Sequence, residues 1–448
     1  ADELLANYKP QGTAQKIEAF DSSFDNLDKR TQRIDIGDLN IALLPKQTRG
    51  ETVTVCMKFK SGDEKNLFGK ANLQPVAAAM LTRGTKTMTR SEIEDRMTEL
   101  KMAGSITNFT TTRKNLPAAL ELVFDAMHNS IMPQDEFDQF KKQMQVMIES
   151  MRDKPDALAQ NAITQHFNTY PKGDPRYEYS LDESLEQLNK LTVDQVRAFY
   201  KEFGGTSRGE ISIVGDFDPK TVEKIIRDDY AKYVSKAHYA PVVTEYRPVK
   251  ATRVVIDTPD KENAIIVARS VFPINDTAPD APALTVANWI LGGGTGLSNR
   301  LIERLRQKEG LSYGAGSHVR IPAKGDNGSF VFRAIVAPQN MLQAEASARD
   351  VIAKAIKDGF TDQEVEEAKK GLLQAMQVAR SQDDVVARSW NDKMENQRTW
   401  VFSKKQAEAI SKLTTADVNA ALRKYIKPDE ITFVLAGDQK KAAQKKQD

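Results

Sequence analysis

The segment KLTVDQVRAFYKEF (190–203), followed by EISIVGD (210–216), returns as KLTTADVNAALRKY (412–425), followed by TFVLAGD (432–438). Both pieces are displaced by 222 residues without a gap (190 to 412, 216 to 438), so helix and strand keep their spacing. Each copy reads as a helix opened by a threonine N-cap, then an apolar strand ending in Gly-Asp. A second echo points the same way: MLTRGT (80–85) precedes SEIEDRMTEL as ILGGGT (290–295) precedes SNRLIERL. At 448 residues the chain is too long for one ordinary core. It is therefore expected to be two similar units, 31–235 and 253–440, joined by a proline- and valine-rich connector at 236–252. Residues 1–30 read as a polar, aperiodic extension and 441–448 as a basic tail.

Within the first unit RIDIGDLNIALLPK reads as two strands about Gly37-Asp38, and ETVTVCMKFKSG alternates with period two. Helical patterns follow around 71–83, 90–103, 115–130, 134–151 and 157–168, with GSITNFTTTR a strand between the second and third. Phe137, Phe140, Met144, Met147 and Met151 share one face of the 134–151 helix, which reads as a core stripe. Strands followed by runs of helices give an α+β fold, a sheet packed by helices.

Composition excludes several classes. Lysine plus arginine is 64 against 62 acids, too balanced for a nucleic-acid footprint, so no nucleic-acid partner is expected. No apolar run reaches the ~18–20 residues of a membrane helix. Cys56 is the only cysteine, so no internal disulfide is possible, and its alternating strand context predicts a buried thiol. His128, His166, His238 and His318 are remote from one another, and no pair sits three or four residues apart to ligate zinc from one helix. No metal site is expected. GGGTG (292–296) lacks the Lys-Ser/Thr of a phosphate loop and reads as a tight turn before a helix.

The richest stretch is LGGGTGLSNRLIERLRQKEGLSYGAGSH (291–318). Ser298 reads as its helix cap, Leu301 and Leu305 as its buried face, and Gly310 as a left-handed end, which leaves Arg306 near the helix C-terminus and Tyr313 just beyond. A cation there is favoured by the helix dipole, and a tyrosine entering a strand is ordinary packing. A catalytic reading of the pair stands beside that structural one.

This stretch resembles the Gly-rich turn, helix and Arg-to-Tyr signature in the second domain of M16 zinc peptidases, the pitrilysin and mitochondrial-processing-peptidase family, and the likeness runs over nearly all of 31–440. The resemblance implies the LuxS/MPP-like metallohydrolase fold in two duplicated units. In the family's catalytic half, His-x-x-Glu-His precedes a Gly-Thr stop. Setting Met80 and Arg83-Gly84-Thr85 on that pattern puts Pro75 and Ala79 at the histidine positions and Ala78 at the glutamate. The zinc motif is erased. Glu149 falls near the third ligand's place, yet a solvated helix face suits it better.

The resemblance further implies a non-catalytic half or subunit that holds no cofactor itself. It would pair with a zinc-bearing half around a peptide substrate and lend Arg306 and Tyr313 to the substrate and the developing oxyanion. Residues 1–30 would be the linker from a catalytic half, and relatives of this layout imply a periplasmic or otherwise exported protein. A structural core protein and a stand-alone peptide-binding module are the alternatives.

Overall fold

The computed structural model describes residues 18–294 and 299–444. Strands β1 (Gln32–Ile36), β2 (Asp38–Pro45), β3 (Thr52–Phe59), β4 (Ala103–Ser105), β5 (Asn108–Thr112) and β6 (Arg208–Gly215) form one sheet in the order β1-β2-β6-β3-β5-β4. Strands β7 (Arg253–Asp257), β8 (Ala264–Pro273), β9 (Ser312–Arg320), β10 (Asn327–Val336) and β11 (Thr432–Gly437) form the other, β7-β11-β8-β10-β9. With β1 set aside, the two orders are the same path. Ile213 stands between Leu43 of β2, parallel to it, and Val55 of β3, antiparallel. The residue 222 places on, Leu435, stands likewise between Val255 of β7 and Ile266 of β8.

The repeated helices obey the same shift. Val193–Phe203 and Thr415–Tyr425 are each opened by a capping box, Thr192 with Gln195 and Thr414 with Asp417, which satisfies backbone donors at the same turn of both copies. One face of each sheet carries helices of its own unit: Met80, Leu120, Val123, Phe137 and Val196 are buried on the first, Leu284, Leu301, Ile352 and Leu422 on the second. This is the expected α+β architecture.

The opposite faces are covered by exchange. Helix Pro155–His166 of the first unit buries Ala159 and Ile163 against Ile265, Val267, Val434 and Ala436 of the second sheet. Helix Asp383–Glu395 of the second unit buries Val386, Ala387 and Trp390 against Ala42, Leu44, Cys56 and Val214 of the first. Asn391 pins the latter: its amide donates to the Cys56 carbonyl (3.1 Å), and its carbonyl accepts from Ser212. Neither sheet is closed by its own sequence unit alone.

Three expectations need correction. Residues 1–17 of the extension lie outside the described residues, but Phe24–Arg30 is a helix, with Leu27 fully buried. Phe20, Phe24 and Leu27 pack in the layer that holds Trp390 and Trp400, a partner more than 350 residues away that no local pattern reveals. Residues 445–448 of the basic tail also lie outside the described residues, yet its start belongs to helix Gln439–Gln444 and Ala442 is buried in the second core. GSITNFTTTR is a hairpin, β4 to β5, not one strand. The connector is tied down as well: Ala240 N donates to Gly62 O (3.2 Å), Glu245 N to Tyr170 Oη (3.2 Å), and Arg247 lies 4.0 Å from the Tyr170 ring centre.

Candidate functional site

Helix Leu73–Met80 carries Pro75, Ala78 and Ala79, the positions that the resemblance sets on the zinc motif. Ala77 and Met80 anchor it to the core, and Pro75 sits in its first turn, where no intrahelical N–H is required of it. The stop after it is well built. Gly84 (φ 145°) accepts from Ile131 N at 3.1 Å, the Thr85 hydroxyl accepts from Met88 N at 3.1 Å, and Arg83 pairs with Glu136 at 3.1 Å. Packing and turn chemistry account for the sharp punctuation, and the helix holds no His, Cys, Asp or Glu side chain.

Pro75, Val76 and Ala79 line an apolar cavity of about 470 Å³. Phe140, Met144 and Ile148 form the facing wall. The 134–151 stripe is therefore core only at its start: Phe137 and Phe140 are buried, Met144 borders the cavity, and Met147 is 43% exposed. Ile148, one residue past the expected Met147, takes the inward position because 3.6 residues per turn carries the face from 137 and 140 to 144 and 148. Ala78 is exposed and is not part of this wall. Glu149 is exposed too and accepts from Arg152 at 3.4 Å. Pro75, Ala78 and Ala79 offer no ligating atom, and among the described residues no three His, Cys, Asp or Glu side chains gather as a metal would need. The residues present do not fit a zinc ion.

The other candidate region lies at the open edge of the second sheet. Gly292 and Gly293 let the turn press on β9: a Cβ at Gly292 would stand 2.5 Å from Ser317 Oγ, and one at Gly293 2.3 Å from Asn288 Nδ2. The Ser317 hydroxyl donates to Asn288 Oδ1 at 2.8 Å, which fixes the strand against the turn. Ser298, the expected cap, lies outside the described residues; Asn299 caps the helix instead, accepting from Ile302 N at 2.9 Å. After Arg300–Ile302 the coil widens to i+5 bonding over Glu303–Lys308, with Leu301 and Leu305 fully buried, before Gly310 (φ 60°) ends it. Such wide turns recur at functional sites. Arg306 lies on the exposed face of this turn, and Tyr313, 67% exposed, opens β9. Among the described residues neither side chain has a hydrogen-bond or ion-pair partner.

Residues 190–372 match the sequence profile of the peptidase M16 inactive domain. Over that segment, less than half of the chain, the sequence is similar to the M16 peptidase family. The sequence contains no His-x-x-Glu-His. An uncharacterized zinc protease of Mycobacterium tuberculosis H37Rv is 24% identical over 299 residues, 64% of this chain and 66% of that protein, so the match spans just under two thirds of that relative. The non-peptidase homolog YmxG of Helicobacter pylori is 20% identical over 404 residues, 86% of this chain and 89% of that one. The peptidase M16 inactive domain from Pseudomonas fluorescens has the same fold, with a TM-score of 0.77 at 20% identity over 91% of this chain and 97% of that one. The periplasmic protease PqqL of Escherichia coli gives a TM-score of 0.65 at 14% identity, over 97% of this chain and 50% of that one. Among the described residues no helix is long and apolar enough to cross a membrane.

Proposed function

We propose that this M16 chain is the non-catalytic half of a peptide-hydrolysing assembly, pairing with a zinc-bearing half and presenting Arg306 and Tyr313 to the bound peptide. The observation that carries the reading is the contrast between two places: the helix that the resemblance sets on the zinc motif offers only apolar surface to its cavity, while a guanidinium and a phenol stand exposed and, among the described residues, unpartnered near the start of β9. Most arginines of the described surface pair with carboxylates, so Arg306, which among the described residues does not, is available for a ligand. A fixed cation and a phenolic O–H are donors suited to charge developing on a scissile carbonyl oxygen. The metal and the attacking water belong to the partner half. That this chain matches half the length of PqqL fits a two-half layout, and the likeness to a periplasmic protease supports an exported location.

Reconstitution with a zinc-bearing M16 chain, sought by co-purification from the source organism, tests the reading. Tyr313→Phe removes one hydroxyl; the expected loss of turnover is about 10²-fold, with melting temperature and partner affinity unchanged. Arg306→Ala should behave alike. Full turnover in Tyr313→Phe would withdraw the catalytic role and leave a chamber wall. Failure to bind any zinc-bearing partner would favour the structural or stand-alone alternative, to which the non-peptidase Helicobacter relative lends support.

A further inference from the structure

Between the two units lies a second, polar cavity of about 770 Å³. Its floor is the exchanged face of the second sheet, where Arg269 of β8 and Arg320 of β9 both border it. Its roof comes from the first unit, from helix Pro155–His166 and the chain that follows it. Among the described residues neither arginine has a carboxylate partner. Arg269 lies 4.8 Å from the Phe167 ring centre, but its Nε is shut off from solvent and donates to nothing. Burial and the like charge of Arg320 both work against the charge on Arg269, and the charge of Glu178 offsets them only in part. A guanidinium so placed gains most by taking a counter-anion.

The third arginine on the wall shows the contrast. Arg176 is neutralised by Asp174 at 2.7 Å and Glu64 at 2.6 Å, so it is already occupied. Gln74, Gln160, Thr164 and Asn327 add neutral donors and acceptors around the vacancy. We infer that this cavity is an anion site and that its occupant is a carboxylate of a bound peptide, held by Arg269 and Arg320. The inference rests on the peptide reading above. A guanidinium fork matches a planar carboxylate with two parallel bonds, and the volume is that of a site for several residues, not for a lone ion. Glu178 on the wall disfavours a multiply charged anion such as phosphate more than a single carboxylate. The aromatic faces of Phe167 and Tyr170 suit neighbouring peptide groups.

Calorimetric titration of the whole chain with three capped hexapeptides of one sequence tests it: one ending in a glutamate amide, one in glutamine with a free C-terminus, one in a glutamine amide. A carboxylate is expected to tighten binding about tenfold over the carboxylate-free peptide. Whichever of the first two gains identifies the source, side chain or C-terminus. Arg269→Gln and Arg320→Gln should each erase the gain while leaving the glutamine amide unchanged, with melting temperature as the control for folding. Equal binding of all three peptides, or a gain that survives both substitutions, overturns the inference. If no peptide binds, the peptide reading itself fails. Glutarate titrated alone then decides the anion site: binding that Arg269→Gln abolishes supports it, and no binding overturns it.

Discussion

Lys393 sits on the exchanged helix Asp383–Glu395 with its ammonium 3.9 Å from the Trp400 ring centre. Burial lowers its pKa from an ordinary 10.5 to about 8, although Asp392 and Asp28 hold it up. A lysine whose folded pKa is depressed is a cost wherever both states are protonated, below about 8. The cost fades as pH rises from 8 to 10.5, because there the unfolded chain binds the extra proton. Lys393→Met should therefore raise stability near neutral pH by up to about 3 kcal/mol, and the difference from the unmodified chain should vanish by pH 10.5. Chemical denaturation of both proteins across that range checks it; a gain independent of pH would mean packing, not charge, is responsible. At this scale much of the site was legible. Pro75, Ala78 and Ala79 lie on a helix before an Arg-Gly-Thr stop, as the pattern indicates, and Leu301, Leu305 and Gly310 stand as their spacing indicates. Arg269 and Arg320 were not legible, because nothing in the strand patterns AIIVARSVFP and SYGAGSHVR singles them out and only the fold shows that, among the described residues, neither finds a carboxylate.

Among the elements, the short helix Phe24–Arg30 does more than its length suggests. Asp28 accepts from Trp400 N and Val401 N, each at 3.0 Å, and from the Thr399 hydroxyl at 3.0 Å, so it caps a helix of the other unit from outside. Arg380 lies 3.7 Å from the Phe24 ring centre and donates to Ser22 O at 3.1 Å. Asp28→Ala leaves Trp400 N without its acceptor and Val401 N with the Thr399 hydroxyl alone (3.2 Å), and is expected to cost about 1–2 kcal/mol. Asp28→Asn, which keeps an acceptor oxygen, should recover most of it. Urea melts of the two variants make the comparison, and equal losses would place the effect in charge pairing, such as that of neighbouring Asp25 with Lys404 at 2.7 Å. The repeated helices were legible because their capping boxes and periodicity are local. The Phe24–Arg30 helix was not, since a seven-residue helix is too short to be stable by propensity and forms on tertiary contact. Periodicity likewise shows that Pro155–His166 and Asp383–Glu395 each have an apolar face, and says nothing of which sheet that face meets.

For the molecule as a whole, the reciprocal exchange decides how it should unfold. A sequence cut near 240 leaves the first sheet without Trp390 and its neighbours over Ala42, Leu44, Cys56 and Val214, and the second without Ala159 and Ile163 over Ile265, Val267, Val434 and Ala436. Each separated half would then expose a strip of strand face that is buried in the intact chain, and the large apolar patch so created favours aggregation or a loosened state. Two units joined by a simple linker would melt independently, as multi-domain chains commonly do. Here the loss of either sheet strips the helix that covers the other, so the intact chain is expected to melt in one transition with calorimetric and van't Hoff enthalpies in agreement. Residues 18–235 and 250–444 expressed apart should bind a hydrophobic dye and lack a sharp melt, and mixing them should restore part of it. Two separate transitions in the intact chain, one coinciding with that of an isolated half, would mean that each core stands alone and that the exchanged helices are ornaments on finished sheets.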